Sequence, residues 1–436
     1  MKFGIFIDLQ LPRPWNEGDE AKLFQDALDQ VELADRLGID HVWVQEHHFL
    51  EEYSHSSAPE VFLAACSQRT KNIRLGHGIT LMSPKYNHPA KIAERIATLD
   101  LVSGGRVEWG TGESGSRMEL EGFGIDFVDK RPMWAESLRE TAKMMTMSPY
   151  PGFHGKYFSM PHRNIVPKPM QKPHPPIWQA CSNRDSMNLA ASLGIGALTF
   201  AFVNSEEAKF WVDEYYETFK TKCEPIGQAV NPNVAMLTGF MCDKDPEVAM
   251  ERGQEGAQFF AYGLGHFWRD GTHTPGRTDL WNEFNNRPLS TDEKMERERK
   301  KAGMRGIGTP EELIKNFREL EEAGVDQLIL LHQCGAYKHE HICESLELFA
   351  AEVLPEFKER EVIRQKKKHA ELVDFVAEAN KKAKTPETMA EVPPVEAFPL
   401  MWKKMSSDTT ESKLDRRPGM SAFWQMQTGG KRPKKK

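Results

Sequence analysis

The 436-residue sequence predicts an α/β fold, a TIM (β/α)8 barrel with insertions and a C-terminal tail. Eight apolar runs of strand length alternate with segments of helical periodicity, and strict alternation of this kind predicts a parallel sheet. Eight such units are enough to close the sheet into a barrel of about 250 residues or more. An open, doubly wound sheet is the alternative that the same alternation permits.

The strands and helices follow one another along residues 1–357. In the first unit, KFGIFIDL has strand character, the apolar residues between Glu20 and Gly38 have the spacing of an amphipathic helix, and Gly38 fits a C-terminal cap. The later strands are predicted at HVWVQ, 73–79, 106–110, IWQAC, GALTFAFV, VAMLTGFMC and VDQLILL. The later helices are predicted at 59–69, 89–101, 133–147, 185–193, 206–222, 246–262, 310–323 and 340–353, with a small hairpin at FHGKYFSM.

Two regions interrupt the alternation. Residues 265–306 are too long for an ordinary connection, so we expect a lid insertion there. Residues 358–436 are polar and rich in lysine, and we expect a partly disordered extension. Its two short apolar stretches, FPLMW and AFWQM, are candidates for docking on the barrel or on a second subunit.

The composition excludes several classes of protein. A net charge of -7 argues against nucleic-acid binding, which usually needs clustered Lys and Arg. No apolar run reaches the roughly 18 residues that span a bilayer, and no signal-peptide pattern follows the N-terminal strand. The six cysteines include no CxxC pair, which fits reduced thiols. We therefore expect a cytoplasmic protein.

The segment VWVQEHHF places two histidines directly after the second strand. In a barrel, active-site groups lie at the carboxyl ends of strands, so His47 and His48 are site candidates. Successive side chains point to opposite faces, so the two imidazoles do not face one site. No second ligand group with zinc spacing follows, and no metal site is predicted.

Small and polar residues follow the third, fourth and fifth strands. Gly78 before Ile79 predicts either a bulge or an unusual peptide bond. GTGESG formally matches the GxGxxG of a dinucleotide-binding dehydrogenase, but it follows the fourth strand instead of the first. Its small residues would let a flat ring or a phosphate approach the backbone. In CSNRDS, Ser182 or Asn183 caps the next helix, or the free N–H groups of that helix bind an anion.

Several segments together resemble the luciferase-like flavin monooxygenases. They are EHHF, IRLGHGI, NHPAKIAERIATLDLVSGGRVEWGTG, GFG followed by KR, PKPMQKPHPPIW and GIGTPEELI, and the resemblance runs from about Met1 to Pro355. It implies a TIM barrel, often a homodimer, that takes reduced FMN from a separate NAD(P)H-dependent reductase. It further implies that O2 forms a flavin peroxide at ring carbon 4a, which then oxidises a small organic substrate.

The resemblance also implies roles for individual residues. His47 matches the catalytic histidine and would manage a proton near neutral pH, whereas His48 would have a structural role. The Gly78–Ile79 bond matches a non-proline cis peptide that supports the flavin ring. Gly112 would lie beside the ring, where luciferase carries a cysteine. The residues that match phosphate contacts are Arg131, Ser182, Asn183 and Ser186.

One residue departs from the family pattern, and two alternative functions stay open. Glu113 stands where luciferase has a phosphate-binding arginine, which is unfavourable unless its carboxylate turns away or pairs with Arg117 or Arg131. Some members of the family use a deazaflavin and transfer hydride, although EHHF in place of a DHF-like stretch favours FMN. A non-catalytic flavin-binding protein is the other alternative, and His47 argues against it.

Overall fold

The computed structural model describes residues 1–200, 202–287, 304–383, 388–395 and 397. Eight parallel strands form a closed barrel in the order β1, β2, β3, β4, β7, β8, β9, β11, with β11 pairing back onto β1. The predicted TIM barrel is confirmed, and closure excludes the open sheet of a dinucleotide-binding dehydrogenase. The strands are β1 (Lys2–Ile7), β2 (His41–Val44), β3 (Arg74–Leu81), β4 (Val107–Gly112), β5 (Tyr150–His154), β6 (Ser159–Arg163), β7 (Ile177–Cys181), β8 (Gly196–Thr199), β9 (Val234–Cys242), β10 (Gly306–Gly308) and β11 (Gln327–Leu331).

The helices surround the barrel. They are α1 (Asp19–Leu37), α2 (Pro59–Arg69), α3 (Pro89–Val102), α4 (Arg117–Gly122), α5 (Lys130–Thr146), α6 (Arg184–Ser192), α7 (Ser205–Lys222), α8 (Pro246–Gly265), α9 (Leu280–Asn286), α10 (Pro310–Glu322), α11 (His339–Glu352) and α12 (Leu354–Lys382). The expected hairpin is the antiparallel pair β5–β6. All six cysteines are free thiols. Among the described residues, no helix combines the length and apolarity that crossing a membrane requires.

Two tryptophans fill the interior of the barrel. The indoles of Trp43 on β2 and Trp178 on β7 meet edge to face, with ring centroids 5.4 Å apart. Glycines on the neighbouring strands make room for them, because a Cβ on Gly76 or Gly196 would lie 2.3 Å from an indole carbon. The middle of the barrel is therefore packed with side chains, and a ligand site has to lie at a rim.

A bulge interrupts β3 next to the carboxyl-end rim. The register between β3 and β4 shifts between His77 and Thr80, which confirms the bulge predicted at Gly78. Gly110 lies opposite, where an added Cβ would stand 1.9 Å from the His77 carbonyl oxygen. The expected cis bond between Gly78 and Ile79 is wrong, since within the described ranges every cis bond precedes a proline.

The C-terminal extension begins as a helix. Disorder from about residue 358 is not what the structure shows, because α12 continues to Lys382. Phe357, Leu372 and Ala379 are buried along it, so this polar stretch has enough apolar contacts to fix it against the barrel unit, residues 1–388. FPLMW and AFWQM lie outside the described residues.

Candidate active site

His47 lies in the loop that follows β2, at the carboxyl-end rim. Its backbone N–H donates to the Ser56 carbonyl at 2.8 Å, and its Nδ1 lies 3.0 Å from Oε1 of Glu119. The imidazole packs edge-on against the rings of Tyr53 and Trp268, with centroids 5.8 and 5.3 Å away. The structure thus places the predicted catalytic histidine beside a carboxylate inside an aromatic surround.

Glu119 in α4 is fully buried and holds the two loops of the site together. Its Oε1 also accepts the backbone N–H of His48 at 2.9 Å, and its Oε2 accepts the hydroxyl of Ser114. Burial alone would lower the pKa of the His47 imidazole and raise the pKa of the Glu119 carboxyl. The attraction between their opposite charges is stronger than this effect of burial, so the net result is a raised pKa for His47 and a lowered pKa for Glu119. The pair therefore stabilises its charged form, imidazolium with carboxylate, relative to the same groups in water.

His48 faces away from this pair, as strand alternation predicts. Its Nε2 lies 3.3 Å from Oε1 of Glu46, and its ring stacks on Tyr86 with centroids 6.2 Å apart. Glu46 also accepts the Leu81 N–H at 2.7 Å and the Asn87 side-chain N–H at 2.9 Å. The glutamate of EHH therefore ties the end of β2 to the end of β3.

A second buried carboxylate, Asp8, faces the rim from β1. The Ser54 hydroxyl donates to the Asp8 backbone oxygen at 2.7 Å, and the side chains of Ser54 and Gln10 lie near enough to the carboxylate to lower its pKa without a well-formed hydrogen bond to either oxygen. Burial raises the pKa of Asp8 to about 7, and the neighbouring His47 offsets only part of that rise. Asp8 is thus a neutral-range acid beside the catalytic candidate.

The predicted ring-binding residues lie together on β3 and β4. A Cβ on Gly112 would stand 2.1 Å from Cδ1 of Ile79, so this position leaves room only for hydrogen. Gly115 is similarly close to Trp268, at 2.6 Å from its Cδ1. Gly112 and Gly115 therefore pack closely against Ile79 and Trp268, and the glycine surface that they form is where the resemblance places the flavin ring.

The predicted phosphate-binding residues lie at the start of α5 and α6. Glu113 pairs with Arg131 at 2.9 Å, which confirms one of the two partners expected for it, and Lys130 lies 3.7 Å from the same carboxylate. Arg131 is near enough to Cys181, at the end of β7, to lower the pKa of that thiol, which burial raises to about 12. The arginine is 54% exposed, so an anion from solvent could reach it if its pair with Glu113 opened.

Asn183 caps α6, which confirms the capping interpretation of CSNRDS. Its side chain accepts the Ser186 N–H at 2.9 Å, and the Ser186 hydroxyl accepts the Asn183 N–H at 3.2 Å. Such a box leaves the first N–H groups of the helix, those of Arg184 and Asp185, without an intrahelical partner. A helix start of this kind, close to Arg131, has the donor groups that a phosphate needs.

Residues 266–286 cover the mouth of the barrel. The π-helical turn His266–Asp270 continues α8 and brings Trp268 against His47. Two glutamates after β2 hold the segment down: Glu51 accepts the Gly276 N–H at 2.7 Å, and Glu52 accepts the N–H groups of Leu280 at 2.5 Å and Trp281 at 3.1 Å. Much of the rest of the expected lid, residues 288–303, lies outside the described residues.

Comparisons with known proteins agree with this geometry. The sequence pattern of the family described as luciferase-like monooxygenase matches residues 1–327. The chain belongs to this family. Within it, the oxygenase component of the flavin-dependent trigonelline monooxygenase of Acinetobacter baylyi is 26% identical over 375 residues, covering 84% of this chain and 98% of that protein.

Two solved structures show how far the likeness to the luciferase-like family extends. The monooxygenase RslO1 from Streptomyces bottropensis has a TM-score of 0.66 at 25% identity and covers 82% of this chain and 100% of its own. The coenzyme F420-dependent tetrahydromethanopterin reductase of Methanopyrus kandleri has a TM-score of 0.57 at 21% identity, with 82% and 99% covered, and shows the fold alone. The chain is therefore an oxidoreductase of the luciferase-like monooxygenase family, and the Acinetobacter relative in it is flavin-dependent by name.

Sequence reasoning missed three groups of this site: Asp8, Glu119 and Lys130. Ser116 and Glu119 have the S-x-x-E spacing of a capping box, which would direct Glu119 back to the start of its own helix. The structure instead directs it to His47 and the backbone of His48. Within the described ranges, His, Cys, Asp and Glu side chains form no group of three or more that could hold a metal ion.

Glu119→Gln should lower the pKa of His47. The substitution removes the carboxylate that opposes the burial of the imidazolium, and a carboxamide attracts it far less. An NMR titration of histidine labelled in the ring measures this directly. Glu121→Gln in the same helix is the matched control, since that exposed side chain pairs with Arg117. An unchanged His47 titration in Glu119→Gln would refute the electrostatic role given to Glu119.

Proposed function

We propose that the protein is a flavin-dependent monooxygenase that uses reduced FMN and O2 to oxidise a small organic substrate. The observation that carries the proposal is the buried pair of His47 and Glu119 at the rim, next to the glycine surface that suits a flavin ring. Bound reduced FMN supplies the two electrons that reduce dioxygen. Glu119 holds Nδ1 of His47, so Nε2 is the ring nitrogen that exchanges a proton with the reacting oxygen.

The cofactor would extend from the rim towards α5 and α6. Gly78, Ile79 and Gly112 would hold the ring, and Arg131 together with the start of α6, near Ser182, Asn183 and Ser186, would hold the phosphate. Support comes from the exposed arginine and the unpaired N–H groups of that helix. Glu113 competes with the phosphate for Arg131, so binding of FMN requires that this ion pair open.

The segment 266–286 would act as the lid that shields the reacting oxygen from water. Its support is the position of Trp268 against His47 and the anchoring of the segment by Glu51 and Glu52. Excluding water strengthens the electrostatic effect of the His47–Glu119 pair and limits unproductive loss of reduced oxygen as hydrogen peroxide.

We further propose that reduced FMN comes from a separate NAD(P)H-dependent reductase in the cytoplasm. The name of the Acinetobacter relative, an oxygenase component, supports a two-component system.

A homodimer is also proposed, because Val61 of α2 and Leu101 and Val102 of α3 expose apolar side chains on neighbouring helices. Light scattering should then give twice the chain mass of 49.7 kDa, and the mass of a single chain would contradict the dimer.

Hydride transfer with F420 and flavin binding without turnover are the alternatives that one experiment separates. The protein is loaded with FMN or F420, reduced without oxygen and mixed with ¹⁸O2 and a panel of small organic molecules. One ¹⁸O atom in a product formed with FMN supports the monooxygenase. A product that is only reduced or oxidised with F420 supports hydride transfer, and no product with either cofactor supports a binding protein.

His47→Gln should bind FMN as tightly as the unchanged protein but form oxygenated product about 10²–10⁴-fold more slowly. The reason is that glutamine keeps a polar side chain at the rim but cannot exchange a proton near neutral pH. Product per O2 consumed is the measurement. His154→Gln on the exposed hairpin is the control, and normal product formation by His47→Gln would exclude the catalytic role.

Arg131→Gln should weaken FMN binding about tenfold, because one charged hydrogen-bond donor to the phosphate is lost. Glu113→Gln should strengthen FMN binding, since it frees Arg131 from its carboxylate. Riboflavin, which has no phosphate, is the matched ligand, and neither substitution should change its affinity. Parallel changes for FMN and riboflavin would place the phosphate elsewhere.

Glu52→Ala should loosen the lid. The Leu280 and Trp281 N–H groups lose their acceptor, so their hydrogen exchange should accelerate by about tenfold or more. Peroxide release per O2 should rise in the same variant. Glu20→Ala is the control, since its carboxylate is exposed and pairs with His55. Unchanged exchange or unchanged peroxide release would argue against a shielding lid.

A further inference from the structure

A wall of aromatic rings packs beside Asp8 beneath the lid, and its members Phe6, Tyr53 and Phe260 are buried, so a ligand would have to displace the lid to reach them. Successive ring centroids lie 5.6 Å apart for Phe6 and Phe200, 6.4 Å for Phe6 and Phe260, 5.5 Å for Phe260 and Tyr53, and 5.4 Å for Tyr53 and Trp268. These five residues, here called the aromatic wall, come from β1, the segments after β2 and β8, α8 and the lid. They lie on parts of the barrel other than β3, β4 and β7, which carry the proposed flavin contacts.

Asp8 is a weakly partnered carboxylate next to this wall. It is fully buried, forms no salt bridge among the described residues, and has only the neutral side chains of Ser54 and Gln10 near enough to favour its charge, neither in good hydrogen-bond geometry. The one cationic side chain that acts on it, His47, is already held by Glu119 at 3.0 Å. Burying a carboxylate without a strong partner costs free energy. We therefore expect that the strong partner of Asp8 is a bound ligand and not another residue of the chain.

We propose that Asp8 and the aromatic wall recognise an organic cation, a quaternary ammonium or a protonated tertiary amine, as the substrate. This assignment rests on the proposed function, because it names the substrate class of that same site. The aromatic faces attract a cationic head group through their quadrupoles, and Asp8 balances its charge. A neutral apolar ligand of the same shape would gain the ring contacts but leave both Asp8 oxygens unpaired.

The charge state of Asp8 gives the binding a defined dependence on pH. The titratable groups that act on Asp8 are His47, Glu119, Tyr53 and Cys334. Burial raises the pKa values of Tyr53 and Cys334 far above neutrality, and Glu119 has a pKa below its ordinary value because His47 outweighs its burial. A cation binds the ionised form of Asp8, so affinity should rise as pH rises through about 7 and fall as Asp8 regains its proton.

The test compares phenyltrimethylammonium with its neutral isostere tert-butylbenzene, binding to the full chain with and without FMN. Calorimetry should show tighter binding of the cation, and its affinity should increase roughly tenfold from pH 6 to pH 8. Asp8→Asn should weaken the cation at least about tenfold at pH 8, leave tert-butylbenzene unchanged and remove the pH dependence. Asp213→Asn, an exposed carboxylate paired with Lys209, is the control.

The outcomes separate this proposal from the one on which it rests. His47→Gln should retain the rise of affinity with pH if Asp8 is the titrating group. Equal binding of the two isosteres, no binding of either, or a cation preference that survives Asp8→Asn would overturn the proposal. Thermal unfolding of each variant shows that it is folded, and separate titrations with FMN show whether flavin binding holds or fails independently.

Discussion

Burial of the Glu119 carboxylate is the constraint on which the geometry of the site depends. A buried charge of this kind persists only with strong partners, and Glu119 finds them in two different loops. His47 and the His48 N–H come from the loop after β2, and the Ser114 hydroxyl comes from the loop after β4. Lys130 donates to the Ser114 carbonyl at 2.7 Å and lies beside Glu113, so one chain of polar contacts joins His47 to Arg131.

The fold could be predicted because its signals are local. The periods of strand and helix alternate eight times, and Gly78 marks the bulge that Gly110 accommodates across the sheet. The errors also have local causes. Helix α4, which was not predicted from the sequence, has only six residues, and the polar composition of α12 conceals five buried side chains that are widely spaced along 29 residues.

Only those parts of the site were predictable that depend on a residue's place in the sequence and on its charge. His47 comes directly after a strand, which predicts a position at the rim. Glu113 is negatively charged where the resemblance places a phosphate, which predicts that it pairs with a cation such as Arg131. Asp8 and Glu119 required the tertiary structure, because burial and the presence or absence of partners are properties of the folded chain. Asp8 is the one charged residue in FGIFIDLQL, and the sequence alone does not show whether anything pairs with it.

The two buried carboxylates at the rim, Glu119 and Asp8, have pKa values shifted in opposite directions because their surroundings differ. Glu119 has three donors, and its pKa falls, so it stays ionised and keeps His47 in place throughout the neutral range. Asp8 has only weak neutral donors, Ser54 and Gln10, and burial raises its pKa to about 7, so both of its charge states are populated near neutral pH. Opposite shifts in neighbouring acids are how a protein assigns different roles to the same chemical group. A cation on the aromatic wall would favour ionised Asp8 beside His47, so the two carboxylates would then both be charged, one held by His47 and the other by the ligand.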